Sequence, residues 1–333
     1  MLRFGIFSVV DHYPKELSRT TAELYGELLE QVEAAEALGF ESFWVAEHHF
    51  HEYGGIPRPP VWMAAAAART RRIRLGAGVV VLPFDNPLRT AEDYAMVDVL
   101  SGGRLDLGTG AGYLKHEYAG FNLDPDEKRV RFDEGLDILL RAWTGERFSY
   151  EGCYHRVRDV QLNVLPVQRP RPPVWIATLR AERAPGIGAR HFPVMLIPYA
   201  SAETLPQMAE SLVAYRAAFV GAGGRPEGAT VPFGLHLHCA ESTSQARAEA
   251  REPMERYVRT RLYAVQRPFE TLVDQDVVAF GDPDEIVRVG RRYEEAGFTH
   301  LLAISNFGGL AHKQVLRSME LLARHVLPRF TPA

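Results

Sequence analysis

The sequence predicts one α/β domain over residues 1–333, a (β/α)8 TIM barrel with an insertion after the fourth strand. Eight apolar, strand-like segments alternate with helical ones, and no shift in composition marks a linker. Polar and glycine-rich segments follow strand ends, where a barrel has its active site. A doubly wound open sheet is the alternative, but it usually has a glycine-rich phosphate loop after the first strand, and "SVVDHYPKEL" is not glycine-rich.

The first half of the chain supplies four of the predicted strands. "LRFGIFSVV" is the first, and residues 20–38 follow with apolar side chains at helical spacing and Gly39 where a C-cap glycine belongs. The second strand, 41–46, precedes the Ala-rich helix "PPVWMAAAAARTRR", whose prolines suit a first turn. "IRLGAGVVVLP" is the third strand, "NPLRTAEDYAMVDVLSGG" the third helix and "RLDLGTG" the fourth strand.

The second half begins with a polar loop, a helix at about 126–143 and an irregular insertion at about 145–172. "PVWIAT", "FPVMLIP", "TVPFGLHLHC" and "THLLAIS" are the remaining strands, each followed by a helical segment. We interpret 266–281 as a loop in which Phe269 is either exposed or packed against a helix. The insertion, this loop and Phe7–Ser8 are the expected lining of a substrate pocket, and none carries a diagnostic cluster of charges.

The composition is that of an ordinary globular protein and gives no sign of a nucleic-acid-binding, membrane-spanning or disulfide-rich class. The chain is 46% hydrophobic and 24% charged with a net charge of -4, so nothing indicates a nucleic-acid partner or an anionic membrane surface. No apolar run approaches the ~20 residues of a membrane helix, and the N-terminus lacks signal-peptide features. Cys153 and Cys239 are too few for a disulfide scaffold and have no zinc-site spacing. We therefore expect a cytoplasmic protein.

The segment "FWVAEHHFHE" places titratable side chains directly after the second strand. His48 and His49 are adjacent, and successive side chains of an extended chain face opposite sides, so the two cannot easily hold one metal ion. No ligand spacing appears elsewhere, and no metal is predicted. Each histidine either makes a structural hydrogen bond or acts as an acid–base or cofactor-positioning group. At the mouth of a barrel, the second role is favoured for at least one of them.

Two glycine-rich blocks occur in this part of the chain, one within the third predicted strand and one at the end of the fourth. "GTGAGY" matches a dinucleotide fingerprint only in part, and it is either a tight turn or a backbone that approaches a flat ring or a phosphate. "LGAGVVV" places Gly76 and Gly78 inside a strand, where glycine often marks close approach of another group.

Together, "FWVAEHHF", "IRLGAGVVVLPFDNPLRTAEDYAMVDVLSGGRLDLGTGAGY" and "SMELLARHVLP" resemble the bacterial luciferase-like flavin-dependent monooxygenases, from residue 2 to about 328. The resemblance implies a barrel that binds FMN, or deazaflavin in some branches, at its C-terminal mouth. It also implies reduced FMN from a separate flavin reductase, O2 and a small organic substrate. Family habit and the small side chains of helix 62–68 suggest a homodimer.

The resemblance also assigns residues. It makes His48 the catalytic histidine, with Glu117 near it, and His49 mainly structural. Glu117 is expected to orient the His48 ring and raise its pKa. A non-proline cis peptide is implied at Gly78–Val79, beneath the flavin. The cofactor-binding set as a whole is Gly78, Val79, Gly110, Ala111, Tyr113, Thr178, Arg180 and Arg183.

Ala111 departs from the luciferase pattern, which has an arginine there for the FMN phosphate. Arg180 and Arg183 of the "TLRAER" turn are the candidate phosphate partners, since arginine forks suit phosphate. Alternatively, both belong to the surface of the following helix. Two other functions stay open, a deazaflavin-dependent dehydrogenase or reductase on the same barrel and a non-catalytic flavin-binding relative.

Overall fold

The computed structural model describes residues 1–201, 203–262 and 266–330. The strands in these ranges are β1 (Arg3–Ser8), β2 (Ser42–Val45), β3 (Arg74–Val81), β4 (Leu105–Gly110), β5 (Phe148–Glu151), β6 (Arg156–Val160), β7 (Val174–Thr178), β8 (Val194–Leu196), β9 (Pro232–Cys239), β10 (Val278–Gly281) and β11 (His300–Ile304). Eight of them form a parallel barrel in the order β9–β11–β1–β2–β3–β4–β7–β8. The pairing of Leu196 with Phe233 closes it. The predicted fold class is confirmed.

The helices surround the barrel. They are α1 (Thr21–Leu38), α2 (Pro59–Arg69), α3 (Pro87–Ser101), α4 (Lys115–Gly120), α5 (Lys128–Ala142), α6 (Ala184–Gly188), α7 (Leu205–Gly221), α8 (Thr243–Thr260), α9 (Phe269–Asp274), α10 (Pro283–Glu295) and α11 (His312–Leu321). Helix α1 begins with a capping box of Thr20 and Glu23 and ends at Gly39, whose φ is 86°. None of the helices in the described ranges is long and apolar enough to cross a membrane.

Two segments are more ordered than the sequence indicated. The insertion after β4 contains the antiparallel β5–β6 hairpin, and the buried Asp98 of α3 accepts the backbone N–H groups of Val167 and Gln168 at 2.7 and 3.0 Å. The interpretation of 266–281 as a loop is wrong, because it holds α9 and β10. Phe269 is 5% exposed and stacks on Phe280, so this aromatic pair packs the segment against the core.

The glycines of β3 and β4 make room for an indole inside the barrel. A Cβ on Gly76 would lie 2.0 Å from the ring of Trp44, and one on Gly108 would lie 3.5 Å from the same ring. A Cβ on Gly78 would lie 3.3 Å from the ring of Phe7. The close approach predicted for these glycines is therefore an approach of aromatic core side chains.

Polar side chains at the N-terminal end of the barrel are paired. The Nε atom of Arg74 donates to both carboxylate oxygens of Asp106, at 3.0 and 2.9 Å. The indole N–H of Trp44 donates to Ser42, and that of Trp175 donates to Thr230, each at 2.9 Å. These groups line a cavity of about 310 Å³.

Candidate active site

His48 lies just after β2 at the mouth of the barrel, and its ring contacts a carboxylate from the segment after β4. Nδ1 of His48 lies 3.1 Å from Oε1 of Glu117. Glu117 stands in the first turn of α4 and is 1% exposed, and the same oxygen accepts the backbone N–H of His49 at 2.9 Å. A carboxylate held in this way fixes the ring and assigns the proton to Nδ1, which leaves Nε2 to exchange a proton.

Burial governs the protonation of His48. It lowers the pKa of the ring, Glu117 opposes this by stabilising the imidazolium, and the positive charge of Arg261 lowers the pKa further. Glu117 therefore raises this pKa as expected, but removal of the ring from water outweighs the carboxylate and the net shift is downward. His48 is therefore neutral at pH 7 and able to accept a proton.

His49 has different surroundings. Its Nε2 lies 3.2 Å from Oε1 of Glu47, and its ring packs edge-on against Phe121 and Phe84, with centroids 4.7 and 5.9 Å away. The side chain of Glu47 also accepts the backbone N–H of Val81 at 3.4 Å. His49 is thus enclosed by aromatic rings and tied to β3, an environment that suits a structural residue.

Val79 of β3 and Gly110 of β4 lie close together. The Gly78–Val79 bond is cis, and both residues are partly exposed within β3. A Cβ on Gly110 would lie 2.9 Å from the side chain of Val79, so the glycine lets β4 pass close to this point. Ala111 accepts the hydroxyl of Tyr118 through its carbonyl. Tyr113, 45% exposed, follows on the rim.

The turn after β7 lies at the surface. The hydroxyl of Thr178 accepts the backbone N–H of Arg180 at 3.2 Å. Arg180 and Arg183 are both exposed, and Nη1 of Arg180 lies 3.3 Å from Glu182. The carboxylate of Glu203 accepts the backbone N–H groups of Ala181 and Glu182 at 2.5 and 2.9 Å. The amides that would face an anion here are therefore already bound by an internal carboxylate.

Sequence reasoning missed a second group of polar side chains at the mouth. The guanidinium carbon of Arg261 lies 3.8 Å from the ring centroid of Tyr257 and 4.1 Å from that of Tyr53, and the side chain is buried. His236 is fully buried near the C-terminal end of β9. The histidines of "GLHLHC" inside a predicted core strand were a usable signal for His236. A single arginine after a helix gives no such signal.

The chain is similar to luciferase-like monooxygenases in both sequence and structure. The family described as luciferase-like monooxygenase matches residues 2–300. The 4-hydroxyprotoasukamycin monooxygenase of Streptomyces nodosus subsp. asukaensis is 32% identical over 324 residues, covering 91% of this chain and 86% of the relative. The crystal structure of monooxygenase RslO1 from Streptomyces bottropensis matches with a TM-score of 0.93 at 33% identity, covering 99% of this chain and 100% of the other.

The chain spans about half the length of the first curated relatives that it matches. The uncharacterized protein y4wF of Sinorhizobium fredii is 42% identical over 183 residues, which is 55% of this chain and 52% of the relative. The matches also include F420-dependent glucose-6-phosphate dehydrogenases and the oxygenase component of a flavin-dependent trigonelline monooxygenase. Oxygenases and deazaflavin-dependent dehydrogenases therefore both occur among the relatives.

Proposed function

The chain belongs to the luciferase-like monooxygenase family, and on that premise we propose that it is a flavin-dependent monooxygenase that oxygenates a small organic substrate with reduced FMN and O2. The observation that carries the proposal is the His48–Glu117 pair, 3.1 Å apart at the mouth of the barrel. A buried acid that orients a neutral imidazole is the arrangement that proton transfer at neutral pH requires.

The residues present fit a flat ring system. Gly78 and Val79 offer a partly exposed surface without long side chains, and Gly110 keeps the neighbouring strand clear. We propose that these residues, with Ala111 and Tyr113, contact the ring system.

Arg180, Arg183 and Thr178 form the part of the rim that we propose for the phosphate. Glu203 already accepts the backbone N–H groups of this turn, so they are not available to a phosphate. In this proposal the arginine side chains therefore make the contact.

His48 is the group that moves a proton in this proposal. Bound reduced flavin supplies the electrons that activate O2. His48 takes a proton on Nε2 or returns it there, while Glu117 keeps Nδ1 protonated and stabilises the charged ring. The side chains of Tyr53, Tyr257 and Arg261 pack against one another beside His48, and in this proposal they limit the access of water to its ring. The electrons come from a separate flavin reductase in this proposal, as the phrase "oxygenase component" in the name of one relative suggests.

A deazaflavin-dependent dehydrogenase is the second candidate. F420-dependent relatives align with 93% of this chain, and Ala111 stands where luciferases have an arginine for the FMN phosphate. Hydride transfer would use the same mouth of the barrel and would need no O2.

A binding and labelling experiment separates the candidates. We expect the purified chain to bind reduced FMN at least tenfold more tightly than reduced F420, measured anaerobically by fluorescence. With a flavin reductase, NADH and 18O2, a panel of limonene and simple phenols should yield a product that carries 18O. Tighter F420 binding without labelled product would support the dehydrogenase instead. FMN binding without any turnover across a broad panel would support a non-catalytic flavin protein.

We also propose a homodimer formed through α2 and α3. These helices pack against each other and expose Val61, Met96 and Leu100, whose exposed fractions are 72%, 51% and 58%. Exposed apolar side chains on neighbouring helices favour burial against a second copy. Light scattering should give a dimer mass that Leu100→Glu converts to a monomer mass. A monomer of the unchanged protein at micromolar concentration would contradict the proposal.

A further inference from the structure

We propose that Arg261, His236 and Tyr199 form a subsite that binds an oxyanion, a carboxylate or phenolate, of the organic substrate. The inference rests on the proposed function only in assigning the oxyanion to the substrate of an oxygenation. Three features carry it, namely a buried guanidinium with two nitrogens that have no partner among the described residues, a buried imidazole without hydrogen bonds in the same ranges, and the position of the guanidinium beside His48.

The first feature is the state of Arg261. Its side chain is 7% exposed, and Nε and Nη2 are buried without a hydrogen-bond partner among the described residues. The negative charge of Asp11 acts on it, but the two side chains form no ion pair. Oδ2 of Asp11 accepts the Tyr13 hydroxyl at 2.7 Å and the Gly308 N–H at 2.6 Å, while its Oδ1 is buried without a hydrogen-bond partner among the described residues. Aromatic faces stabilise the cation only in part. A buried charge that lacks a partner costs free energy, which an arriving anion would recover.

The second feature is His236 on β9. The ring is 0% exposed, and both its nitrogens lack a partner within the parts of the chain that the structure describes. Its centroid lies 4.4 Å from that of Tyr257 and 5.0 Å from that of Tyr199, whose hydroxyl is also buried and unpartnered in those ranges. Buried polar atoms in native proteins nearly always have partners. These donors, next to one positive charge, match the lone pairs of an oxyanion.

The third feature is position. The ring of Tyr53 lies between the two groups, with its centroid 5.0 Å from that of His48 and 4.1 Å from the guanidinium of Arg261. The field of Arg261 also reaches His48, whose pKa it lowers. A substrate held by its oxyanion at Arg261 would therefore place the adjoining carbon atoms near the imidazole that exchanges protons. This distinguishes the subsite from the Arg180 turn after β7, where we place the flavin phosphate.

Benzoate and benzamide are matched probes, because they share a ring and differ in charge. We expect isothermal titration of the FMN-loaded protein to give at least tenfold tighter binding for benzoate, and Arg261→Gln to abolish that preference. Arg259→Gln is the control, since Arg259 lies nearby on α8, is 61% exposed and is paired with Glu16. Equal affinity for the two probes in the unchanged protein, or a preference that survives Arg261→Gln, would overturn the proposal.

The flavin phosphate is the competing source of an oxyanion. FMN and riboflavin are titrated with the same protein samples, and Arg261→Gln should change both affinities by the same factor. A selective loss of FMN binding would assign Arg261 to the phosphate and overturn the substrate subsite. Failure of the unchanged protein to bind FMN would instead count against the proposed function, so the two failures are distinguishable.

Stability separates a ligand-binding arginine from a packing one. Because the guanidinium is buried without an ionic partner among the described residues, Arg261→Met should leave the melting temperature unchanged or raise it. A lower melting temperature together with an unchanged benzoate preference would make the residue structural and overturn the proposal. His236→Asn is the second variant, for which we expect a smaller, roughly threefold, loss of benzoate affinity. No loss in a folded His236→Asn protein would remove His236 from the subsite.

Discussion

Arginines occur at both ends of the barrel, and their surroundings are opposite. At the N-terminal end, Arg74 forms a fork with Asp106, and Arg104 donates five hydrogen bonds to Thr70 and to carbonyl groups of α2 and neighbouring segments. At the C-terminal mouth, Arg261 has two nitrogens without a partner in the described chain. Arg104 and Arg261 are both buried, but only Arg104 has all its guanidinium nitrogens hydrogen-bonded by the described residues.

This difference in hydrogen bonding suggests that the arginines at the N-terminal end serve stability and that the arginine at the mouth serves function. A satisfied arginine fastens strands and helices together and needs nothing from outside. An unsatisfied one lowers the stability of the ligand-free protein, and a bound molecule that completes its coordination, as proposed above, would recover that free energy. Changes at the N-terminal end should therefore act on unfolding, and changes at the mouth should act on turnover and binding.

The largest expected effect comes from His48 at the mouth. His48→Ala should keep the fold and FMN binding but lower the oxygenation rate by about 10²–10⁴, the usual contribution of general acid–base catalysis. Product formation under saturating reduced FMN measures this. His49→Ala is the control and should lower the melting temperature while folded protein retains activity. A normal rate for His48→Ala beside an inactive, well-folded His49→Ala would reverse the roles.

At the N-terminal end, Arg74→Met should reduce the free energy of unfolding by about 3 kcal/mol, because it leaves the buried Asp106 without its cation. Urea titration measures the loss, and FMN affinity of the folded variant should not change. Arg3→Met, which removes an exposed pair with Glu41, is the control and should cost under about 0.5 kcal/mol. A loss of flavin affinity in Arg74→Met with normal stability would break the distinction between the two ends.

Helix α8 carries a paired acid, Glu249, while two nitrogens of Arg261, just beyond the end of the helix, have no partner among the described residues. Burial alone would raise the pKa of Glu249, but hydrogen bonds from His238, Gln245 and Arg317 lower it to about 2. The folded pKa is below the unfolded one, so the stabilisation is complete above about pH 4.5 and is lost as the pH falls towards 2.

Glu249→Gln should therefore cost about 2 kcal/mol at pH 7, allowing for partial screening, and almost nothing at pH 2. Chemical denaturation across this pH range gives the difference. Glu255→Gln, at an exposed position paired with Arg251, should leave the pH dependence as it is. An unchanged acid transition in Glu249→Gln would show that this carboxylate does not anchor the helix.

The smallest expected effect concerns the rim. Arg180→Ala should weaken FMN about tenfold and leave riboflavin unchanged, because only FMN carries the phosphate; the exposure of the side chain keeps the effect near 1.4 kcal/mol. Flavin fluorescence titration measures both ligands. Arg190→Ala, an exposed arginine paired with Asp133, is the matched control. Equal weakening of FMN and riboflavin would point to a disturbed fold.

The fold could be predicted from the sequence because each barrel strand is a short apolar run between helical patterns. The site could be predicted where residues are close in sequence to a strand end, as with His48, or where the family resemblance supplied them, as with Glu117. Arg261 could not be found, since its burial depends on Tyr53, more than two hundred residues earlier in the chain. The β5–β6 hairpin was missed because its strands are short and largely exposed: the apolar alternation of β5 covers only four residues, and three of the five residues of β6 are charged.

The contact between Trp44 and Gly76 has a consequence for sequence variation in the family. Any side chain at position 76 would strike the indole, with a Cβ only 2.0 Å from it. The two positions are therefore not free to mutate one at a time, and a larger residue at 76 requires a smaller one at 44. Relatives should show paired replacements here, since side chains in direct contact change together. The space that β2 and β3 share at this contact would thus restrict which single substitutions the barrel can accept at either position.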